Sequence, residues 1–242
     1  MSEEAAEPPP PFLSRLAAVY LSPSEAMRSI ARAPTFWAPL LAFVALGAAF
    51  NAVWLHHLDP LEFARVQIED SPFAERMSAA DRAAGIAQQA KVFPYVAWLG
   101  PLLFSPLSVL LVALLYLSVF RFFYGAEVTL KQSLSVAAWT FLAVALLALP
   151  LTLLVLYLKQ DWNVDPRTSL QANPTILLDQ ASVPRALYSI AESLDLFTAW
   201  GLELLSVGYG AAAATPARRA AIGVVALWSV YVLGKAALAA VF

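Results

Sequence analysis

The chain has 242 residues, of which 60% are hydrophobic and 13% charged, with a mean hydropathy of +0.68 and a formal net charge of -2. A soluble domain carries roughly 25% charged residues, so an ordinary soluble fold is excluded, and no general basic face is left for nucleic acid. The absence of cysteine removes disulfide frameworks, thiolate nucleophiles and zinc–thiolate sites.

Residues 1–11 are acidic and then proline-rich (Glu3, Glu4, Glu7, Pro8 to Pro11). This is the opposite of a signal peptide, and a disordered tail on the side of synthesis is expected. Residues 12–33 predict an interfacial amphipathic helix. Ser22-Pro23-Ser24-Glu25 has the form of a capping box with proline at the first helical position. Met27, Ile30 and Ala31 share one face, while Arg28 and Arg32 lie elsewhere, facing anionic headgroups if the helix rests on a membrane. A helix packed on the loops is the alternative.

Residues 34–242 read as a five-span membrane domain, with spans at about 36–55, 94–120, 134–158, 194–214 and 221–242. Trp37 and Trp54 sit near the ends of the first span, as interfacial aromatics do. His56 and His57, adjacent on a helix, point about 100° apart. With Asp59 they could hold a metal, but interfacial histidines are the plainer reading. The polar stretch 57–91 carries helix-start signals at Asp59-Pro60, Ser71-Pro72 and Ser78-x-x-Asp81. Short helices outside the bilayer core are expected there. Its acids (Asp59, Glu62, Glu69, Asp70, Glu75, Asp81) lack calcium-loop spacing and read as a solvated face.

Pro101 and Pro106 predict a kinked second span, with freed carbonyls met by neighbours or by Ser105 and Ser108. The third span contains Pro150. The second long loop, 159–190, marks two further helix starts at Asn173-Pro174 and Ser182-x-Pro184. The second of these helices is expected to run on into the fourth span. Arginines and lysines are densest in the short segments Arg121–Lys131 and Arg218–Arg219, which places the N-terminus inside and the C-terminus outside.

The candidate chemistry is an intramembrane polar site of Glu203, Asp195, Glu192 and Lys235. On one continuous helix Glu192 and Glu203, eleven residues apart, lie about 20° apart around the axis, with Asp195 about 80° from Glu203. An acidic track to mid-membrane follows. Counted from Ala217, Glu203 is 14 residues back and Lys235 is 18 on, so an antiparallel hairpin sets them roughly 6 Å apart in depth. Three arrangements fit: a structural ion pair or hydrogen-bonded carboxylate, a proton or ion path, and a snorkelling Lys235 with Glu203 bonded elsewhere. No phosphate loop, dinucleotide fingerprint, metalloprotease motif or nucleophile elbow is present, so no catalytic residue, cofactor or metal site is expected.

Leu21-Ser-Pro-Ser-Glu-Ala-Met27, the opening Pro34-Thr-Phe-Trp-Ala-Pro39, the five-span layout and Ser193-Leu-Asp-Leu-Phe-Thr-Ala-Trp200 together resemble the Yip-domain family, in particular its bacterial branch. The family is named for interaction with Ypt/Rab GTPases. The resemblance implies an all-α polytopic membrane protein with five spans and a cytoplasmic N-terminus and, in eukaryotic members, roles in vesicle trafficking, GTPase binding and membrane shaping. A non-enzymatic scaffold or trafficking-like factor acting through lipids and a protein partner or as a homo-oligomer is expected here. The Asp-Leu-Tyr-Gly-Pro sequence of eukaryotic members is absent, which argues against GTPase binding here. A membrane organiser in a bacterial inner membrane is the leading expectation. The alternative is a small transporter or channel using Glu203, Asp195 and Lys235.

Overall fold

A computed structural model describes residues 10–71, 74–170, 172–179 and 182–241. The expected tail at residues 1–9 and the Pro72 of one helix-start signal lie outside them. Among the described residues the chain is all helical, with no strand.

The N-terminal segment is two helices, α1 (Phe12–Leu21) and α2 (Pro23–Arg32). The break falls at Ser22, where the backbone of Ser22 is extended away from the helical region and Pro23 opens the next helix. The Ser22 side chain makes no capping hydrogen bond, so the expected capping box is absent and only its boundary holds. There follow α3 (Trp37–His57), α4 (Pro60–Glu69), α5 (Ala79–Val96), α6 (Ser105–Phe122), α7 (Leu130–Lys159), α8 (Pro166–Ser169), α9 (Arg185–Ser193), α10 (Leu196–Ala212) and α11 (Ala217–Val241). Side-chain caps account for several starts. Asp59 accepts from the backbone N–H groups of Leu61 and Glu62, Ser78 from Asp81, and Asn173 from Thr175.

Among the described residues four helical stretches are long and apolar enough to cross a membrane: Trp37–His57, Gly100–Phe122, Leu130–Lys159 and Ala217–Val241. The region of the fourth expected span holds α10, whose 17 residues reach about 25 Å against a hydrocarbon core of roughly 30 Å. The apolar stretch in the region of the second expected span runs from Gly100, and the residues from Pro94 to Val96 belong to α5, which is 18 residues long. Gly100–Phe104 is a π-helical turn, the distortion expected where Pro101 removes a backbone donor. The hydroxyl of Ser105 donates to the Gly100 carbonyl at 3.3 Å, and that of Ser108 to the Ser105 carbonyl at 2.7 Å. The Gly100 carbonyl already accepts from the Ser105 backbone N–H, so the two serines bond helix carbonyls other than those of Ala97 and Leu102, whose helical donors Pro101 and Pro106 remove.

The chain divides into two compact units. The first comprises Met1–Leu41, Val109–Val144 and Ala172–Phe242. One of its cores gathers Tyr116, Phe120, Val136, Leu205, Tyr209 and Val224 from α6, α7, α10 and α11. The Ser133 hydroxyl lies 2.5 Å from the Tyr209 hydroxyl and donates to the Ala113 carbonyl at 2.6 Å. A second core joins Val19, Met27 and Ile30 of the N-terminal helices to Trp139, Ala143 and Leu204. The second unit comprises Ala42–Ser108 and Ala145–Gln171. Its core is an aromatic cluster around Trp54, Phe63, Phe93 and Trp162 with Leu58 and Leu156. The Trp54 indole donates to the Trp162 carbonyl at 3.0 Å, and Asn163 accepts from the Asp59 backbone at 2.8 Å.

Candidate functional site

Ala213–Pro216 is short enough to return the chain as α11 directly beside α10. Close approach is possible because α10 is rich in small residues. A Cβ on Gly208 would come within 2.5 Å of Val136, and one on Gly223 within 2.9 Å of Tyr124. Gly208 and Gly210 of α10 and Gly223 of α11 are thus packing positions, as small residues are between membrane helices, whereas Gly234 of α11 has nothing within 4 Å of an added Cβ.

The polar candidates do not assemble into one track. The expected single helix from Ser182 through the fourth span is broken at Leu194, and Asp195 is the N-cap of α10. Its carboxylate accepts from the backbone N–H groups of Phe197 (2.8 Å) and Thr198 (3.1 Å) and from the Thr198 hydroxyl. These bonds satisfy donors that a helix start leaves open, which is why the chain stops and restarts at an aspartate. With two helices in place of one, the angular argument that set Glu192 above Glu203 no longer applies.

Lys235 pairs with Glu192, its Nζ 2.5 Å from a carboxylate oxygen. The Glu203–Lys235 contact is therefore not formed. The break after Ser193 lets α9 fold back along α11, so Glu192 meets Lys235 although it precedes Glu203 in the chain. Asn173 supports the junction, its amide donating to the Glu192 carbonyl at 3.4 Å, and the Leu196 backbone donates to Ala172 at 3.2 Å.

Glu203 stands apart. It is exposed, and no hydrogen bond or ion pair joins it to another described residue. Its exposed neighbours on α10 are Leu196 and Ala199, which at spacings of seven and four residues share its helix face. Glu203 lies seven residues into α10, about 10 Å from its start, alongside the membrane-spanning α11.

Arg28 and Arg32 are exposed on α2, opposite its buried Met27, Ile30 and Ala31. That apolar face packs on Trp139 and Leu204 of α7 and α10, not on the loops. Arg28 donates to the Ser24 carbonyl of its own helix at 3.0 Å. His57 stacks on Trp162 with ring centroids 4.3 Å apart. No group of three or more His, Asp or Glu side chains suited to a metal occurs among the described residues.

Two buried polar residues escape a reading based on spans and motifs. Arg15 is 4% exposed; one of its terminal nitrogens donates to the Ala33 carbonyl (3.0 Å) and to the Thr35 hydroxyl (3.1 Å), and burial holds its pKa below the ordinary arginine value. It clasps the link between α2 and α3. Its signal is a lone charge within Phe12–Leu21. Asn51, 6% exposed in α3, is the one amide in an apolar span, the residue type that holds membrane helices together.

No curated protein and no solved structure matches the chain. The family model described as the Yip1 domain matches residues 17–238, from within α1 to within α11. The chain is thus an all-helical integral membrane protein that belongs to the Yip1 domain family.

Proposed function

We propose that this protein is a non-enzymatic membrane organiser, a bacterial-type member of its family, that acts by holding a second membrane protein or a second copy of itself against α10. The observation that carries this reading is the exposed carboxylate of Glu203 between Leu196 and the α10–α11 turn. A charge facing lipid near mid-membrane costs on the order of 2.5–3.5 kcal/mol on insertion scales. A protein surface bearing a cation or donor, laid along Leu196, Ala199 and Glu203, removes that cost. Ala199 between them permits close helix approach.

The transport reading needs its acids in line, whereas Asp195 caps a helix and Glu192 neutralises Lys235. This weighs toward docking. The same reading places the molecule in a bacterial inner membrane, N-terminus cytoplasmic and C-terminus outside, with residues 1–11 as a tail, 12–33 at the interface and 34–242 as the membrane domain. Arg28 and Arg32 then face cytoplasmic headgroups, lipids and a protein or second copy are the partners, nucleic acid is not, and the missing Asp-Leu-Tyr-Gly-Pro sequence weighs against a GTPase.

A photo-crosslinking amino acid at Ala199 tests this in the native membrane, with the same group at the exposed Leu111 of α6 as reference. Protein adducts at 199 with mainly lipid adducts at 111 are expected. Lipid adducts alone at both positions would exclude a protein on this face.

A further inference from the structure

The segment from Pro174 to Leu194 exposes aliphatic side chains that a water-facing loop would not need. Leu177 is 85% exposed, Ile176 65%, Leu187 56% and Leu194 52%. On α9 the buried Ser189 and Ser193 lie one turn apart and mark the face turned to protein. Leu187 is about 160° from Ser189 around the helix and so points outward. The Pro174–Leu177 turn packs against α9, and its Asn173 is bonded to Glu192. Turn and helix therefore sit together at the start of α10.

The depth of this assembly follows from the Glu192–Lys235 pair. Lys235 is 18 residues beyond the first residue of α11, about 27 Å along its axis, which is still within the roughly 30 Å of a hydrocarbon core. Beyond Lys235, α11 continues with exposed Leu238 and Val241, and Leu233 just before it is exposed as well. The apolar band of α11 thus extends past the level at which α9 is attached. Meanwhile α10, at about 25 Å, stops short of the full core thickness. The ion pair at 2.5 Å joins Lys235 to Glu192 there, as ionisable groups at membrane depth tend to pair.

We propose that the Pro174–Leu177 turn, α9 and Leu194 form a lipid-seated cap: Ile176, Leu177, Leu187 and Leu194 insert among acyl chains of the leaflet remote from the Ala213–Pro216 turn. The cap supplies the thickness that α10 lacks, and Lys235 with Glu192 anchors it to α11. Lipid is the occupant because the exposed faces are continuous in level with the lipid-facing residues of a membrane span. This surface is separate from the Glu203 stripe and stands whether or not α10 docks a partner.

The cysteine-free sequence allows single nitroxide labels at Leu177→Cys and Leu187→Cys in liposomes, with Leu238→Cys as a lipid-facing reference and Asp81→Cys as a water-facing one. All four positions are exposed, so the substitutions leave the packing intact. At 177 and 187 the ratio of oxygen to nickel-chelate collisions is expected to match that at 238 and to exceed that at 81. A ratio matching position 81 would place the segment in water and overturn the proposal. Protection from both reagents would mean protein covers it and would equally overturn it.

Discussion

The two compact units are held together by different means. In the first, the side chains of Val136 and Tyr124 press directly on the backbone at Gly208 and Gly223, and buried hydroxyls such as those of Ser133 and Tyr209 bond in the gaps. In the second, helix ends and a loop gather around aromatic rings: Trp54 meets Phe63 and Phe93 edge-on at 5.6 and 5.7 Å, and His57 stacks on Trp162. Small residues let membrane helices pack where lipid gives little hydrophobic drive. Rings with a polar edge suit an interface where one side is apolar and the other wet. The difference matches bundle packing in one unit and interfacial packing in the other.

The strongest way to break this comparison is Trp139→Ala. Trp139 is 1% exposed, packs on Phe12 at 5.1 Å and donates to the Thr35 carbonyl at 3.1 Å. Aromatic truncations in cores cost about 3–5 kcal/mol, and the lower end is expected because a lipid reference reduces the transfer part. Hydrogen exchange should show lost protection in α1, α2 and α7, with α4 and α5 unchanged. Protection lost equally in both units would erase the distinction.

Gly208→Val is expected to cost about 1–3 kcal/mol by overpacking against Val136. Gly234→Ala, with nothing within 4 Å of the added Cβ, should be neutral or gain up to about 1 kcal/mol of helix propensity. Comparing the two by reversible unfolding in mixed micelles isolates close approach from glycine content.

The smallest effect belongs to the second unit and to pH. Burial alone raises the Asp165 pKa, but the hydrogen bonds and charge of Arg167 outweigh it and leave the carboxyl below its ordinary value. Its stabilising contribution is therefore present above the ordinary carboxylate pKa of ~3.9 and is lost as pH falls through the lowered folded value. Amide protection of Arg167–Ser169, corrected for intrinsic exchange, should decline below about pH 4, while Tyr116 to Phe120 stay protected. Loss there at neutral pH would contradict the assignment.

Much of this architecture is legible in the chain because hydrophobic blocks set span positions and short polar side chains set helix starts. Asp59, Ser78 and Asn173 cap the helices expected to follow them. The candidate site was less legible for a specific reason. The angular relation of Glu192 and Asp195 to Glu203 rests on one unbroken helix, and the Asp195 cap breaks that helix after Ser193. Once α9 folds back, distance in sequence ceases to measure depth, and Lys235 finds Glu192. An Asp-x-x-Thr at the entry to an apolar run carries the signal for such a break, because the aspartate accepts from local backbone N–H groups and from the threonine hydroxyl in preference to continuing a helix. Arg15 was hidden for the opposite reason: its carbonyl partner at Ala33 lies 18 residues away and leaves no local pattern.

The central claim is that Glu203 faces another protein within the membrane. Native mass spectrometry of the protein released from native lipid discs, alongside Glu203→Leu, tests it most directly. The account predicts a stoichiometric partner or homo-oligomer for the wild type, and a folded monomer carrying only lipid for Glu203→Leu. A wild-type monomer with lipid alone would contradict it.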